Sequence, residues 1–538
     1  MPRLQSALSP GSEPFRQNRE HMLRLLDEMG EIESRARAAS ERARARFEAR
    51  RQLLPRDRVA LLLDPGKPFI ELSKLAGYGL DTEDPAKSVP GGGVIAGIGH
   101  VSGVRCMISA SDSGIAAGAL QPMGLEKQLR VQEIALENKL PLVQLVESAG
   151  ANLMEYRVED FVCGGNLFRN LARFSAAGLP VVTVTHGSST AGGAYQTGLS
   201  DYIVMVAGRT RAFLAGPPLL KAATGEIATE EDLGGADMHT AISGLGDYLA
   251  EDDRQAIGMA RDILANIDWD SRQRIRRDHA GPACDTLELL GIMPADHRQP
   301  VDMKEVIARI VDGSDFMEFG SRYGPATVCG NARIAGWPIG IITNNGPIDP
   351  AGAAKATHFI QACCQAGTPI LYLNNTTGFM VGQSYEEAGI IKHGSKMIQA
   401  VTNATVPQFT IFCGASFGAG NYGMCGRGFH PRFCFSWPNA RTAVMGGEQA
   451  ASTMAIVQEA RADRRGETVD QDRLNAMKQK ITDNFDRQMG AFYTSARVLD
   501  DGVIDPRDTR ELLSELMEIC READGRTPNA VQFGVARP

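Results

Sequence analysis

The chain has 538 residues, 43% of them apolar and 22% charged, with a formal net charge of −8. That length exceeds one ordinary core and predicts several globular domains, while the acidic balance gives no general drive toward nucleic acid or an anionic membrane. No apolar run reaches the ~18 residues that span a bilayer, residues 1–20 lack the apolar centre of a secretory signal, and the ten cysteines form no Cys-x-x-Cys pair, so a cytoplasmic enzyme with reduced thiols and no metal site is expected.

Residues 17–51 are predicted to be helical, because Met22, Leu23, Leu25, Leu26, Met29 and Ile32 recur at helical spacing. Arg35, Arg37, Arg42, Arg44, Arg46, Arg50 and Arg51 follow, interleaved with Glu31, Glu33, Glu41 and Glu48. Mixed signs read as a solvated face, with a partner- or phosphate-binding surface as the alternative. Short apolar runs at residues 94–96 and 106–108 read as strands, Lys127 to Lys139 as a helix, and residues 142–146 and 181–184 as buried strands. Gly150-Ala151 follows the first buried strand and Gly192-Gly193-Ala194 the second. Residues 270–300 contain a polar link with Arg276, Arg277, Asp278, His279, Gly281 and Pro282. Beyond it the order recurs, ending in Gly378-Phe379 and Gly418-Ala419-Gly420.

The recurrence is an internal repeat. Pro180, Thr183, Gly187, Ser189, Gly193 and Tyr195 align at one offset with Pro407, Thr410, Gly414, Ser416, Gly420 and Tyr422. Upstream, Lys127, Pro141 and Gly150 meet Lys355, Pro369 and Gly378. Gly97 and Gly103 meet Gly330 and Gly336, and Gly66, Phe69 and Glu71 meet Gly313, Phe316 and Glu318. The blocks keep their order while the offset drifts, as loops of unequal length require. The expected organisation is a tail (1–19) and two homologous α/β domains in tandem (20–280 and 281–538), with parallel strands joined by helices.

Small-residue turns after strands expose consecutive backbone N–H groups that a carbonyl oxygen can approach closely. At the start of a helix they also meet partial positive charge. Such donors stabilise an oxyanion, each by about 3–4 kcal/mol. A lone Gly-Gly-Ala would more simply let a helix pack on a sheet, but turns duplicated in register favour two ligands, each with a carbonyl that gains negative charge. Carboxyl transfer from carboxybiotin to an acyl-CoA has that requirement. Other chemistries leave little trace. Gly414-Ala-Ser-Phe-Gly418 has the spacing of a serine-hydrolase elbow, yet its repeat partner lacks it. No phosphate-binding Gly-x4-Gly-Lys loop is present. Gly97-Ile-Gly99 opens no helix, and Ala476-Met-Lys-Gln479 is a poor match to a biotin-attachment site. Biotin is therefore expected on another chain.

These residues resemble the carboxyltransferase β subunits of biotin-dependent acyl-CoA carboxylases over roughly residues 20–538. The resemblance is carried by Leu61-Leu-Leu-Asp-Pro-Gly66, Ser189-Thr-Ala-Gly-Gly-Ala-Tyr195, Phe213-Leu-Ala-Gly-Pro-Pro218, Thr377-Gly-Phe-Met-Val-Gly382, Ser416-Phe-Gly-Ala-Gly-Asn-Tyr422 and Val444-Met-Gly-Gly-Glu-Gln449. It implies two crotonase-like domains, an active site where subunits meet, and a β6 core within an α6β6 complex. The α subunits would carry biotin carboxylase and the biotin carrier. By motif match, Gly192 and Gly193 would hold the thioester enolate, and Ala419 and Gly420 the biotin ureido oxygen. Gly150, Ala151, Gly378 and Phe379 border these turns as substrate-binding candidates. Lys355, Lys127 and the Arg35 to Arg51 stretch are candidates for the CoA phosphates.

Asn374-Asn-Thr-Thr-Gly-Phe379 and Gly418-Ala-Gly-Asn-Tyr-Gly-Met-Cys-Gly426 resemble the methylcrotonyl-CoA group, which carboxylates the γ-methyl of 3-methyl-2-enoyl thioesters. The segment 154–170 departs from that group: Gly164 stands where the methylcrotonyl type has Phe. Lost aromatic bulk lengthens an apolar pocket, so geranyl-CoA is the expected substrate, with methylcrotonyl-CoA as the alternative. A crotonase-type hydratase or isomerase is the competing class. It would need an acid/base pair, for which Glu147 is a candidate, though its repeat partner is Asn375.

Overall fold

The computed structural model describes residues 2–119, 121–149, 157–267, 269, 279–465, 469–528 and 530–531. The long helix α1 (Glu13–Glu41) leads the chain, followed by α2 (Pro55–Leu62). In the first half, β1 (Ile70–Glu71), β2 (Val94–Val101) and β3 (Val104–Ser111) pair antiparallel. After α3 (Pro122–Glu137), β4 (Leu142–Ser148) adds in parallel. After α4 (Val158–Ala176), so does β5 (Val181–Thr190), which ends in the glycine turn and α5 (Gly192–Gly198). β6 (Tyr202–Val206) extends the sheet, β7 (Arg211–Phe213) pairs with the far end of β5, and β8 (Tyr248–Ala250) closes the order β1-β2-β3-β4-β5-β6-β8. α6 (Asp253–Asn266) packs Ala256, Ile257, Ala260 and Leu264 against the sheet, an apolar stripe at helical spacing.

The second half repeats the plan. β9 (Met317–Phe319), β10 (Thr327–Ile334) and β11 (Trp337–Asn344) are antiparallel. α7 (Pro350–Ala366), β12 (Ile370–Thr376), α8 (Ile390–Thr402), β13 (Gln408–Phe417) and the short α9 (Gly418–Gly423) follow, and β14 (Phe433–Ser436) and β15 (Arg441–Ala443) both pair with β13. Helices α10 (Gly447–Asp463) and α11 (Gln471–Met489) pack on each other, and α12 (Thr509–Gly525) ends the described helices. Strands alternate with helices in parallel units, which is the α/β architecture read from the sequence.

The repeated glycines now have physical causes. Ser102-Gly103 and Ala335-Gly336 are two-residue hairpin turns with positive φ at both positions (51° and 81°; 50° and 81°), the twist-matching geometry that glycine accommodates without strain. A carboxylate receives both turn N–H groups in each half. Asp64 accepts from Ser102 and Gly103 (2.9 and 2.7 Å), and Asp312 accepts from Ala335 and Gly336 (2.9 and 2.7 Å). A Cβ on Gly97 would strike the Phe69 ring and the Ile70 carbonyl, and one on Gly330 would strike Phe316 and the Met317 carbonyl. The Phe–Gly pairs seen as a sequence repeat are one contact made twice.

Compact units cut across chain order. One draws on Glu31–Arg274, Ala496–Val498 and Ile519–Pro538, the other on Met1–Gly30, Ile275–Ser495 and Leu499–Glu518. The N-terminal segment joins the second unit through specific contacts. Leu4 N–H donates to Ser314 O (2.8 Å), Ser6 Oγ donates to Glu305 (2.6 Å), and the Phe15 ring lies on Gly291. Among the described residues no helix is long and apolar enough to cross a membrane.

Candidate active site

Each half carries a glycine turn where its long central strand meets a short helix. In both halves the pairing of that strand with its neighbour slips just before the turn. Val146 pairs with Thr185 but Ser148 with Ser189, and Asn374 pairs with Phe412 but Thr376 with Ser416. Two residues on one strand therefore face four on the other, a bulge that bends the strand and releases backbone groups from the ladder. The helices that follow are seven and six residues long. What each turn can offer a ligand is accordingly individual N–H groups rather than the end of a long helix.

In the first half, Ala191 precedes Gly192-Gly193 with φ 53° and ψ −112°, a conformation costly for a residue with a Cβ. Its repeat counterpart Gly418 has φ 54°. A Cβ on Gly193 would lie 3.3 Å from Ser189 Oγ, and one on Gly192 would lie 3.3 Å from Phe168 Cζ. Phe168 is on α4, and its ring meets that of Tyr195 edge-on with centroids 5.8 Å apart. Gly164 lies one helical turn before Phe168, on the same face. Among the described residues, nothing stands within 4 Å of a Cβ built on Gly164 or Gly165. Gly164 is thus related to the first glycine turn by way of Phe168, one helical turn further along α4. Gly150 and Ala151 lie outside the described residues.

In the second half, Gly420 is seated on Gly378. A Cβ there would fall 2.9 Å from Gly378 Cα and from Thr376 Cγ2. Gly378 has φ 119° and its carbonyl accepts from Ile348 N–H (2.9 Å). The Phe379 ring packs against Gly394 and Gly423 and joins the surrounding core, so it supports the turn from behind. Lys355 is not brought to the turn. It is buried, with Nζ donating to the Gly320 carbonyl (3.2 Å). Lys127 is its counterpart, donating to Val94 O at 2.6 Å, and burial pulls its pKa down to about 8.

Two groupings escape sequence inspection. The first surrounds Glu147 at the end of β4. Its Oε2 accepts from Arg58 Nη1 (2.5 Å) and Ser113 Oγ (2.8 Å), and Arg58 also reaches Asp253 (3.3 Å), which holds His186 Nδ1 at 2.9 Å. Burial pushes the Glu147 pKa up, but the Arg58 guanidinium outweighs it and holds the carboxyl below its ordinary value. An ionised, fully engaged carboxylate cannot donate the proton that hydration requires. Glu147 is therefore a poor acid for the hydratase reading. The second grouping is a chain of amides and a hydroxyl beneath the second turn. Asn421 Nδ2 donates to Ser416 Oγ (2.9 Å), Ser416 Oγ donates to Asn374 Oδ1 (3.0 Å), and Asn374 Nδ2 donates to Met424 O (3.0 Å). The asparagines stood in the sequence only as family markers. Their mutual contact depends on the bulge.

Residues 47–529 match the carboxyl transferase domain family. The chain belongs to that family. It is 46% identical to the probable biotin-dependent acyl-coenzyme A carboxylase beta2 subunit of Mycobacterium tuberculosis, covering 99% of this chain and 100% of that one. It is 43% identical to the mitochondrial methylcrotonoyl-CoA carboxylase beta chain of Dictyostelium discoideum, covering 99% and 91%. Among solved structures, the geranyl-CoA carboxylase beta subunit of P. aeruginosa superposes with a TM-score of 0.93 at 52% identity, covering 99% and 100%. The carboxyl transferase chain accordingly has two crotonase-like domains in tandem, and its activity is carboxyl transfer to an acyl-CoA as the β subunit of a biotin-dependent carboxylase.

Proposed function

We propose that this β subunit carboxylates the γ-methyl of a 3-methyl-2-enoyl-CoA, with geranyl-CoA as its substrate. The observation that carries the chain length is Gly164 one helical turn from Phe168, which reaches the first glycine turn, with no described residue within 4 Å of a Cβ built there. A C10 isoprenoid chain needs room beyond what a C5 chain fills, and the missing aromatic side chain supplies it. The face of α4 that bears Gly164 also exposes Phe161 (71%), an apolar surface suited to a hydrocarbon chain. Similarity to a geranyl-CoA carboxylase subunit supports the reading. Similarity to methylcrotonoyl-CoA carboxylases favours the C5 thioester as the alternative.

The backbone N–H groups of Gly192 and Gly193 point the chemistry toward the thioester oxygen, where negative charge develops as the γ-carbon loses its proton. The N–H groups of Ala419 and Gly420 serve the ureido oxygen of biotin borne by a partner α subunit. The turn fits that role because a Cβ at Gly420 would fill the close approach to Gly378. When bound, carboxybiotin supplies the carboxyl group. Gly378 and Phe379 set the wall behind this turn.

Large apolar side chains at matching repeat positions, Tyr195 and Leu214 in one half and Tyr422 and Val444 in the other, are exposed on the single chain. They support a homo-oligomeric β6 core that works with biotin carboxylase/biotin carrier α subunits. Kinetics of the co-purified αβ holoenzyme on C5 and C10 thioesters test the substrate. Turnover of methylcrotonyl-CoA with none of geranyl-CoA would overturn the long-chain reading. Gly164→Phe should move preference toward C5 while leaving the fold intact, since the site has room for the ring's first atoms.

A further inference from the structure

The bulge before each glycine turn breaks the strand ladder, and the two halves repair it differently. In the first half other groups make the repair: Ser189 Oγ and Thr185 Oγ1 both meet Thr197 Oγ1, at 3.1 and 3.3 Å, and Gln52 Nε2 donates to the His186 carbonyl (3.4 Å). The repeat positions of Asn374 and Asn421 are there occupied by Val146 and Ala194, which cannot join a hydrogen-bonded chain. In the second half the repair runs from the helix after the turn, through β13, to the neighbouring strand β12. Asn374 and Ser416 are fully buried, so each lost partner would leave a polar group without water. β12 also carries Thr376 and leads to Gly378, the two residues on which Gly420 rests. The amide chain therefore ties the donors of the turn to the surface that limits their position.

We propose that Asn374, Ser416 and Asn421 form a positioning clamp that fixes the Ala419-Gly420 N–H groups for the biotin ureido oxygen, a role the first half does not share. The proposal rests on the reading that this turn serves biotin. The clamp touches no reacting atom. Its effect is on where the donors stand, and a displacement of about 1 Å in such a site costs about 100-fold in rate. It also gives a physical task to asparagines that otherwise serve only to mark a subfamily.

The test uses the intact β oligomer and the reverse partial reaction, in which a carboxylated acyl-CoA donates to free biotin. Asn421→Ala and Asn374→Val place the first half's residues in the second. Each should lower kcat/KM for free biotin by about 10- to 100-fold and weaken biotin binding seen by ligand-observed NMR, with the KM for the acyl-CoA held within about twofold. The double variant should be little worse than either single one, because both break one chain. Ser416→Thr keeps the hydroxyl and should retain more activity than Ser416→Ala. Should Asn421→Ala fail to assemble, Asn374→Val alone decides. Unchanged biotin parameters in an assembled variant overturn the clamp. Gly420→Ala separates the two ideas. If it disturbs the acyl-CoA parameters and spares biotin, the assignment of the turn fails. If it impairs biotin use while Asn421→Ala does not, only the clamp fails.

Discussion

Gly420→Ala offers a sharp test of how the second turn works. The residue lies in a short helix and its φ is outside the positive region, so alanine suits its backbone and would by itself favour the helix by about 0.5–1 kcal/mol. Any loss must then come from the added methyl. That carbon would stand 2.9 Å from both Gly378 Cα and Thr376 Cγ2 and 3.2 Å from Gly378 N, where carbon atoms ordinarily rest about 3.5–4.0 Å apart. Gly378 is backbone, itself held by Ile348 N–H, and cannot swing aside. The turn must retreat by roughly 0.5–1 Å, which costs about 1–3 kcal/mol of overpacking and misplaces a donor worth about 10²–10³ in kcat. Among the described residues, the same methyl on Gly193 would meet Ser189 Oγ at 3.3 Å and Ser148 Cβ at 4.0 Å; Gly150, the counterpart of Gly378, lies outside them. We therefore expect Gly420→Ala to lower kcat of the holoenzyme about 100-fold. Steady-state carboxylation, with light scattering to confirm assembly, measures it. A kcat within about threefold of the parent in an assembled variant would refute the steric argument.

Ala191→Gly should stabilise the protein by up to about 1 kcal/mol, because it removes a Cβ from a conformation that its counterpart Gly418 already meets with glycine; urea midpoints decide it. Arg58→Ala should destabilise by about 3–5 kcal/mol, since it leaves the Glu147 and Asp253 carboxylates buried without their shared guanidinium, again read from denaturant midpoints. The folded-state pKa values of Glu147, Asp253 and His186 are all lowered, the last chiefly by burial. The unfolded chain therefore takes up protons first as pH falls, and stability should drop below about pH 6.5, the ordinary histidine value; Arg58→Ala should flatten that acid limb. Lys127 has the opposite window: charged in both states below its folded value of about 8, it releases its proton earlier when folded, so stability should rise between pH 8 and the ordinary lysine value of 10.5. Lys127→Met should abolish that rise in midpoint measured across the same pH range.

Much of this was legible in the sequence because it is local. A two-residue turn needs left-handed backbone, and Gly103 and Gly336 announce it. A strand that must let a ring and a carbonyl approach closely needs glycine, and Gly97 with Phe69 repeats as Gly330 with Phe316. The order of strands and helices followed from apolar runs and the turns between them. Helix and strand ends were less legible. β5 runs on to Thr190 and β13 to Phe417, because pairing with β7 and β15 continues past the apolar run.

Which groups meet across the fold was settled only in three dimensions. Glu147 looked available for acid/base chemistry until the structure placed Arg58 from α2 and Ser113, two residues past β3, on its carboxylate. Lys355 looked like a phosphate ligand, yet burial and the Gly320 carbonyl occupy it. The first 30 residues join the second compact unit through contacts hundreds of positions away, which no local pattern encodes. The glycine turns themselves were written in the chain, since backbone access is a property of the residue. The distance between Gly420 and Gly378, and the amide chain that holds it, were decided by a strand bulge, because only the slipped pairing of β12 and β13 brings Asn374, Ser416 and Asn421 within hydrogen-bonding reach.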